Sequence, residues 1–388
     1  MNMDIGYQRH GTAIGDVGII TASGAFDFLF NICLPCDHPF NPPELPENFT
    51  PLVISLLDVQ NYSEFVGESY LSSASVMKSR TGGLNDLTFE SSASEGAILT
   101  MPVGSRSEDI ANTVRLRNYL ATHAESWYNY IVGVRGREIQ NGDVRLVIGW
   151  DKSKAWGMAT FSNTSAHEEP FLLQFRPIED ASAGRTYGWV SSGFAEVRAG
   201  PGAEEKVRIR MNDPSQAGVE YQNQCLFIRT LNVNLQGNAW QKLATEFGLA
   251  EAEARPNTTF EASFLRPWRE ENRTGDSSFS GMSSQPTSGS TTEALIAPVE
   301  TTTEENVPSS DLTQSVQISS VQAALSGHPS NIINETLLKL RPNARMAITE
   351  DKDWMSVLRA GDTTLPNAEE LFERITETFV ISEEDGSY

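Results

Sequence analysis

At 388 residues, 39% hydrophobic and 21% charged, the chain can bury a sizeable core and divide into two or three units. Its net charge of −22 excludes a general nucleic-acid binder, because phosphate contacts need a basic surface, and disfavours anionic membrane for the same reason. The first ten residues lack an apolar signal core and no apolar run is long enough to span a bilayer, so we expect a cytoplasmic protein kept soluble by its acidity.

Near the start, the alternation in 17–21 and in 26–32, separated by Ala22-Ser23-Gly24, predicts a hairpin. Residues 33–51 carry Pro35, Pro39, Pro42, Pro43, Pro46 and Pro51, which remove backbone donors, and read as an irregular connection. A short apolar strand follows at 52–57, then mixed Ser/Gly-rich sequence with β-prone runs at 87–89 and 97–100.

The stretch 105–161 organises the rest. Ser105 and Glu108 stand at capping-box spacing, and Glu108 and Asp109 place negative charge at a helix's positive end. Leu116, Leu120, Ala124, Trp127 and Ile131 recur in steps of three and four, which predicts one long helix with a buried face ending at Gly133 and Gly136. Asn141-Gly142 supplies a tight turn into an alternating strand at 144–148, and a second strand at 156–161 completes an expected hairpin. Further strands are expected at 171–175, 186–190, 194–198 and 206–210, and most strongly at 225–235, with a bulge near Thr230. A helix follows at 240–253.

Composition changes near Arg269. Residues 269–314 are Ser/Thr/Glu/Pro-rich, with too little apolar content to offset the entropy of ordering, and read as a disordered linker. From 315 to 388 we expect a small, mostly helical tail: a helix over 330–340, a strand at 346–349, a helical turn at 353–358 and a helix at 369–378. So small an apolar set seldom makes a core alone, so the tail should dock on the main domain, a second copy or a partner protein. The expected fold is α+β: a globular domain over 1–268, with a mostly antiparallel sheet or sandwich packed on one long central helix, then the linker and the docking tail.

Chemistry-bearing motifs are sparse. Cys33-Leu34-Pro35-Cys36-Asp37-His38 has the spacing of a metal or redox pair, but no second Cys/His pair completes it, and three cysteines fit a reducing compartment, so we expect no metal and no cofactor. His123, near Glu125 and Trp127, could act as a general base, although a helical histidine is more often a structural one. The main ligand-binding candidates are Arg135, Arg137 and Arg145 with Trp127, Trp150 and Trp156, alongside Lys152 and Lys154. Arginine forks and indole faces together suit a phosphate, a carboxylate or an acidic peptide, whereas pairing with Glu138, Asp143 and Asp151 would make them an ordinary solvated hairpin. No nucleophile elbow, Walker loop, dinucleotide fingerprint or zincin motif is present.

The segments GDVGIITASGAFDFLFNICLP, ESSASEGAILTMP, ESWYNYIVGVRGREIQNGDVRLVIGWDKSKAWGMATF and HPSNIINETLLKL resemble those of an uncharacterised protein family of mushroom-forming (agaricomycete) fungi. The resemblance implies a fungal, cytosolic origin and supplies no activity, cofactor or catalytic residue. We therefore expect a non-enzymatic intracellular interaction or regulatory protein whose partner contacts run through 315–388. The alternative is an enzyme or small-ligand binder with a cleft beside the aromatic end of the central helix.

Overall fold

A computed structural model describes residues 4–21, 23–79, 87–162, 171–191, 194–211, 219–249, 328–359, 362 and 365–379. All of them belong to one compact unit made of 1–267 and 324–388; the second unit, 268–323, and with it the whole of the expected linker, 269–314, lie outside them.

In chain order the described elements are α1 (Ile5–His10), β1 (Asp16–Ile20), β2 (Phe26–Asn31), β3 (Val59–Tyr62), β4 (Ser69–Ser72), β5 (Met77–Lys78), β6 (Leu87–Ser91), β7 (Gly96–Met101) and β8 (Arg106–Ile110). There follow α2 (Val114–Asn129), β9 (Val144–Ser153), β10 (Trp156–Phe161), β11 (Phe171–Asp180), β12 (Gly184–Ser191), β13 (Glu196–Gly200), α3 (Ala203–Arg210), β14 (Gln224–Leu235) and α4 (Gly237–Glu246). The last part holds α5 (Pro329–Leu340), β15 (Met346–Glu350), α6 (Asp351–Met355) and α7 (Ala368–Thr378).

The fold is mixed, with sheets dominating. A seven-stranded antiparallel sheet runs β15-β14-β9-β1-β2, and β8 and β3 extend it past the far half of β9. β9 is the hub. Its first half pairs with β1 through Val17↔Leu146, its second half pairs with β8 through Ser107↔Asp151, and its other edge pairs with β14 along its length. All ten of its residues are buried. Two four-stranded sheets, β13-β10-β7-β4 and β12-β11-β6-β5, share a second core of Leu87, Phe89, Ile98, Phe161, Leu173 and Phe175 and form a sandwich. Gly157 makes this packing possible, because a Cβ there would strike the Phe175 ring.

One face of the large sheet presents Val17, Val144, Leu146, Ile148, Leu231, Val233 and Leu235 to Leu116, Leu120, Ala124 and Trp127 of α2. The spacing of those four helix residues is the expected one, but the helix is sixteen residues long, continued by a π turn over Tyr130–Val134, and it covers only this face. It is therefore one layer of the fold, and the two-sheet sandwich packs a core of its own.

The strand expected at 52–57 is not formed, since 51–55 lies outside any strand and Leu56–Asp58 is a single 3-10 turn. Three further local expectations need correction. The helix starts at Val114, not near Ser105, because 106–110 is strand β8. Its inward position is taken by Ser107, whose hydroxyl bonds the Asp151 carboxylate, so polarity at a buried site hid the strand. The capping box is unused: Asn112 Oδ1 accepts from the Val114 N–H instead, at 3.0 Å. Second, β9 and β10 are not a hairpin but enter different sheets. Their two-residue link, Lys154-Ala155, lacks the residue types that adopt positive φ in tight hairpin turns. The Ser153 hydroxyl fixes the crossing by donating to Gly104 O at 2.6 Å and Ala155 O at 2.8 Å. Third, 206–210 lies in helix α3, with Glu204 and Glu205 in its first turn and Arg208 and Arg210 in its last, as the helix dipole favours. The register does shift between Arg229 and Thr230, but the extra residue there is Ile148 of β9, and the bulge of β14 itself is at Leu226.

The tail segment is built into the unit. β15 pairs with β14 through Val233↔Ile348, and α5 to α7 enclose Ile333, Leu337, Leu338, Ala347, Trp354, Leu371 and Ile375 on the opposite face of the sheet from α2. Among the described residues no helix is long and apolar enough to cross a membrane.

Candidate functional site

The ligand-binding candidates read from the sequence are dispersed. Trp127 is 1% exposed and packs edge-on against Phe30 at 5.5 Å, inside the core. Arg135 and Arg137 follow the π turn, and Arg137 pairs with Asp27 at 2.8 Å. Arg145 lies on β9 but on the sheet's other face, beneath α5. Trp156 sits in the sandwich, where its Nε1 donates to Gln224 Oε1 at 3.0 Å. Only Trp150 and Lys152 come together, near the end of β9, and Lys154 follows them into the open. His123 lies against Tyr119 with ring centroids 4.3 Å apart, and burial lowers its pKa. Cys33, Cys36 and Cys225 are free thiols. Among the described residues no group of three or more His, Cys, Asp or Glu is placed to hold a metal ion.

What β9 does carry is buried charge on both faces. An extra residue at Ile148 interrupts the strand alternation. After it Trp150 and Lys152 point to one side and Gly149 and Asp151 to the other, while Arg145, before it, points to the side of its pair partner Asn232. On the first side Lys152 is 2% exposed; its ammonium donates to His10 O at 2.9 Å and stands 4.1 Å from the centre of the Trp150 ring. Asp16, at the start of β1, accepts from Tyr7 Oη at 2.8 Å, Ala13 N at 2.7 Å and Asn31 Nδ2 at 2.7 Å. Burial dominates both titrations: Asp16 is pushed up to about 6 despite its three donors, and Lys152 is pushed down to about 8. Burial also raises Cys225 to about 11 and Cys33 to about 12, which leaves both as unreactive thiols. This cluster is closed to solvent, so its role is to fasten α1 and the first strands to β9.

On the second side Arg229 of β14 bridges two carboxylates. Its Nη1 donates to Asp151 at 2.7 Å and its Nε to Asp109, which also accepts from the Tyr62 hydroxyl. Ser107 completes the shell of Asp151. Burial works against the guanidinium's charge, but Asp151 and Asp109 outweigh it and raise its pKa. Gly149 leaves room for the bridge, since a Cβ there would overlap Asp109 and crowd Arg229 Nε at 2.7 Å. Farther along β14, in the layer that holds Arg145, Asp351 accepts from Thr230 N, Thr230 Oγ1 and Asn232 Nδ2 at 2.9–3.0 Å, and Asn334 of α5 donates to Asn234 Oδ1 at 3.0 Å. Arg145 lies in this layer 5% exposed, with Nε and Nη1 lacking hydrogen-bond partners.

Beyond the buried charge, the same end of the sheet is open. A cleft of about 370 Å³ is lined by Ser63, Val103, Ser105, Arg106, Lys154 and Gln222, together with Gly104 and Glu220. Beside it β3 forms the sheet's edge, bonded to β8 alone among the described strands. Leading into β3, Val53, Leu56 and Leu57 are 74%, 89% and 94% exposed.

Sequence reasoning missed Tyr62, Asp109 and Arg229, and read Asp151 only as a partner for the hairpin arginines. Their one signal was a charge inside an apolar strand, Arg229 within CLFIRTLNVNL and Asp151 after VIGW, a pattern that needs a buried counter-ion. No family model, curated protein or solved structure matches this chain.

Replacing Arg229 by Met leaves Asp109 and Asp151 facing each other. The expected loss of unfolding free energy is about 3 kcal/mol, at the low end for breaking a buried pair because Arg229 keeps a third of its side chain in solvent; urea denaturation measures it. A second test concerns Asp16. Its native pKa lies above the ordinary carboxylate value of 3.8, so the folded chain holds this proton more tightly than the unfolded chain. Its contribution is therefore fully present below about pH 4, falls as pH rises through about 6, and is constant above, a change of about 3 kcal/mol. Denaturation at a series of pH values should show this decline in the wild type and not in Asp16→Asn.

Proposed function

We propose that the protein is an intracellular interaction or regulatory protein and that its binding surface is the free edge of β3 with the apolar ledge before it. The observation that carries this reading is the near-complete exposure of Leu56 and Leu57 beside a strand edge with no second neighbour among the described strands. Unpaired edge groups are a template for another chain, and proteins ordinarily blunt them with lysine, proline or cover. β3, Val-Gln-Asn-Tyr, has none of those side chains. Exposed apolar side chains clustered beside such an edge mark a contact site more often than scattered ones do.

The recognition mode that fits is addition of an extended partner segment to β3, with an apolar side chain of that segment seated on Leu56 and Leu57. The chain's net charge of −22 favours a segment with basic flanks. The three free cysteines are consistent with an intracellular, reducing compartment. The tail is less suited to recruit this partner through its apolar residues, because α5 to α7 spend them on the chain's own second core.

The test is co-purification from the native host, followed by cross-linking mass spectrometry, with wild type and a Leu56→Asp, Leu57→Asp variant. Both side chains are almost fully solvated, so the variant should unfold within about 0.5 kcal/mol of wild type. We expect a partner chain cross-linked near 56–62 in the wild type and its loss in the variant. Equal recovery from both, or cross-links confined to other surfaces, would reject the surface.

A further inference from the structure

We propose that the cleft at the end of β9 is a binding site for a small polar molecule carrying an oxyanion group, a carboxylate or a phosphate. Its volume, about 370 Å³, falls at the small end of the range for ligand pockets. Four elements converge on it: Ser63 directly after β3, the turn Val103-Gly104-Ser105 with Arg106 at the start of β8, Lys154 directly after β9, and Glu220 and Gln222 on the approach to β14.

The charges that line it are unequally committed. Glu220 is taken by the buried Lys206 ammonium at 3.2 Å. Arg106 uses only Nη2, toward Asn61 at 2.8 Å and Glu108 at 3.1 Å, so its Nε and Nη1 make no bond among the described residues. Lys154 is exposed and has no ion-pair partner among them. An anion entering here therefore meets two cationic donor groups, and the one carboxylate in the lining already has its counter-ion.

A second observation is independent of those charges. Ser105 is 7% exposed, its hydroxyl has no hydrogen-bond partner among the described residues, and the residue lies in the cleft wall. The Ser105 N–H is satisfied by Phe65 O at 2.9 Å, which holds the turn and leaves the hydroxyl as the group without a role inside the fold. A buried polar atom without a partner is costly, and this one lies just behind the wall, where a small shift of the turn would bring it to a ligand oxygen. The Oγ of Ser63 and the Oε1 of Gln222 add neutral hydrogen-bonding groups, since Gln222 uses its Nε2 on Lys152 O at 2.9 Å. That set suits hydroxyls on the rest of the molecule, and Val103 supplies one apolar wall.

Isothermal titration of the full-length chain tests this with four probes at matched ionic strength: inorganic phosphate, glycerol 3-phosphate, malate and sodium chloride. We expect saturable binding of at least one oxyanion and none of chloride. Stronger binding of glycerol 3-phosphate assigns a phosphate ester, and stronger binding of malate a carboxylic acid. Lys154→Ala and Arg106→Gln should each weaken binding by about tenfold, the loss of one charge-assisted contact, and Ser105→Ala by about threefold. Lys154 is exposed, so its variant folds even if Arg106→Gln does not. Absence of saturable binding by all three oxyanions, or binding undiminished by Lys154→Ala, would overturn the site.

Discussion

The structure depends on the burial of charge along a single strand. β9 has neighbours on both edges over most of its length, so Arg145, Asp151 and Lys152 have no route to bulk water and must each be answered by another part of the chain. Arg229 of β14 answers Asp151 and at the same time captures Asp109 of β8. The His10 carbonyl and the Trp150 ring answer Lys152, bringing in α1, and the polar layer of Asn232, Asn234 and Asp351 surrounds Arg145 and brings in the tail. Distant segments are thus held in register by requirements that originate in three residues of one strand. A hydrophobic core fixes how much surface is buried; these contacts fix which strands are adjacent.

The same arrangement separates groups that stabilise from groups that can act. Asp16, Lys152 and Cys225 have shifted pKa values, which is often a mark of chemistry, but burial causes the shifts and closes the groups to any substrate. The accessible features lie at the sheet's end, where β3 has no outer neighbour among the described strands and where Arg106, Lys154 and Ser105 line an open cleft. Strand edge and cleft meet where Ser63 follows Tyr62, so a partner strand on β3 and a small anion in the cleft would be adjacent. Such adjacency provides a physical route by which one could influence the other.

Much of this fold was legible because apolar spacing reports burial directly. The α2 stripe from Leu116 to Ile131, the first hairpin, the register shift at Thr230 and strand 346–349 all follow from it. What was illegible has one physical origin: buried positions filled by polar residues. Ser107 and Asp109 disguised β8 as a helix start because their partners, Asp151 and Arg229, lie 44 and 120 residues away. Arg145 looked like part of a solvated basic turn, and nothing local shows that Asn232, Asn234 and Asn334 close over it. The cleft was illegible for a related reason, since its lining comes from four separate stretches of chain; Lys154 and Ser105 each drew notice in the sequence, but not as neighbours.

The most direct measurement is residue-resolved amide hydrogen exchange, made with and without the partner recovered from the host. The account predicts that the amides of 144–153 exchange only through global unfolding, whereas outward amides of 59–62 exchange freely and gain protection when the partner is added. Opening of 144–153 well below the global unfolding free energy, or β3 amides already protected in the isolated chain, would contradict it.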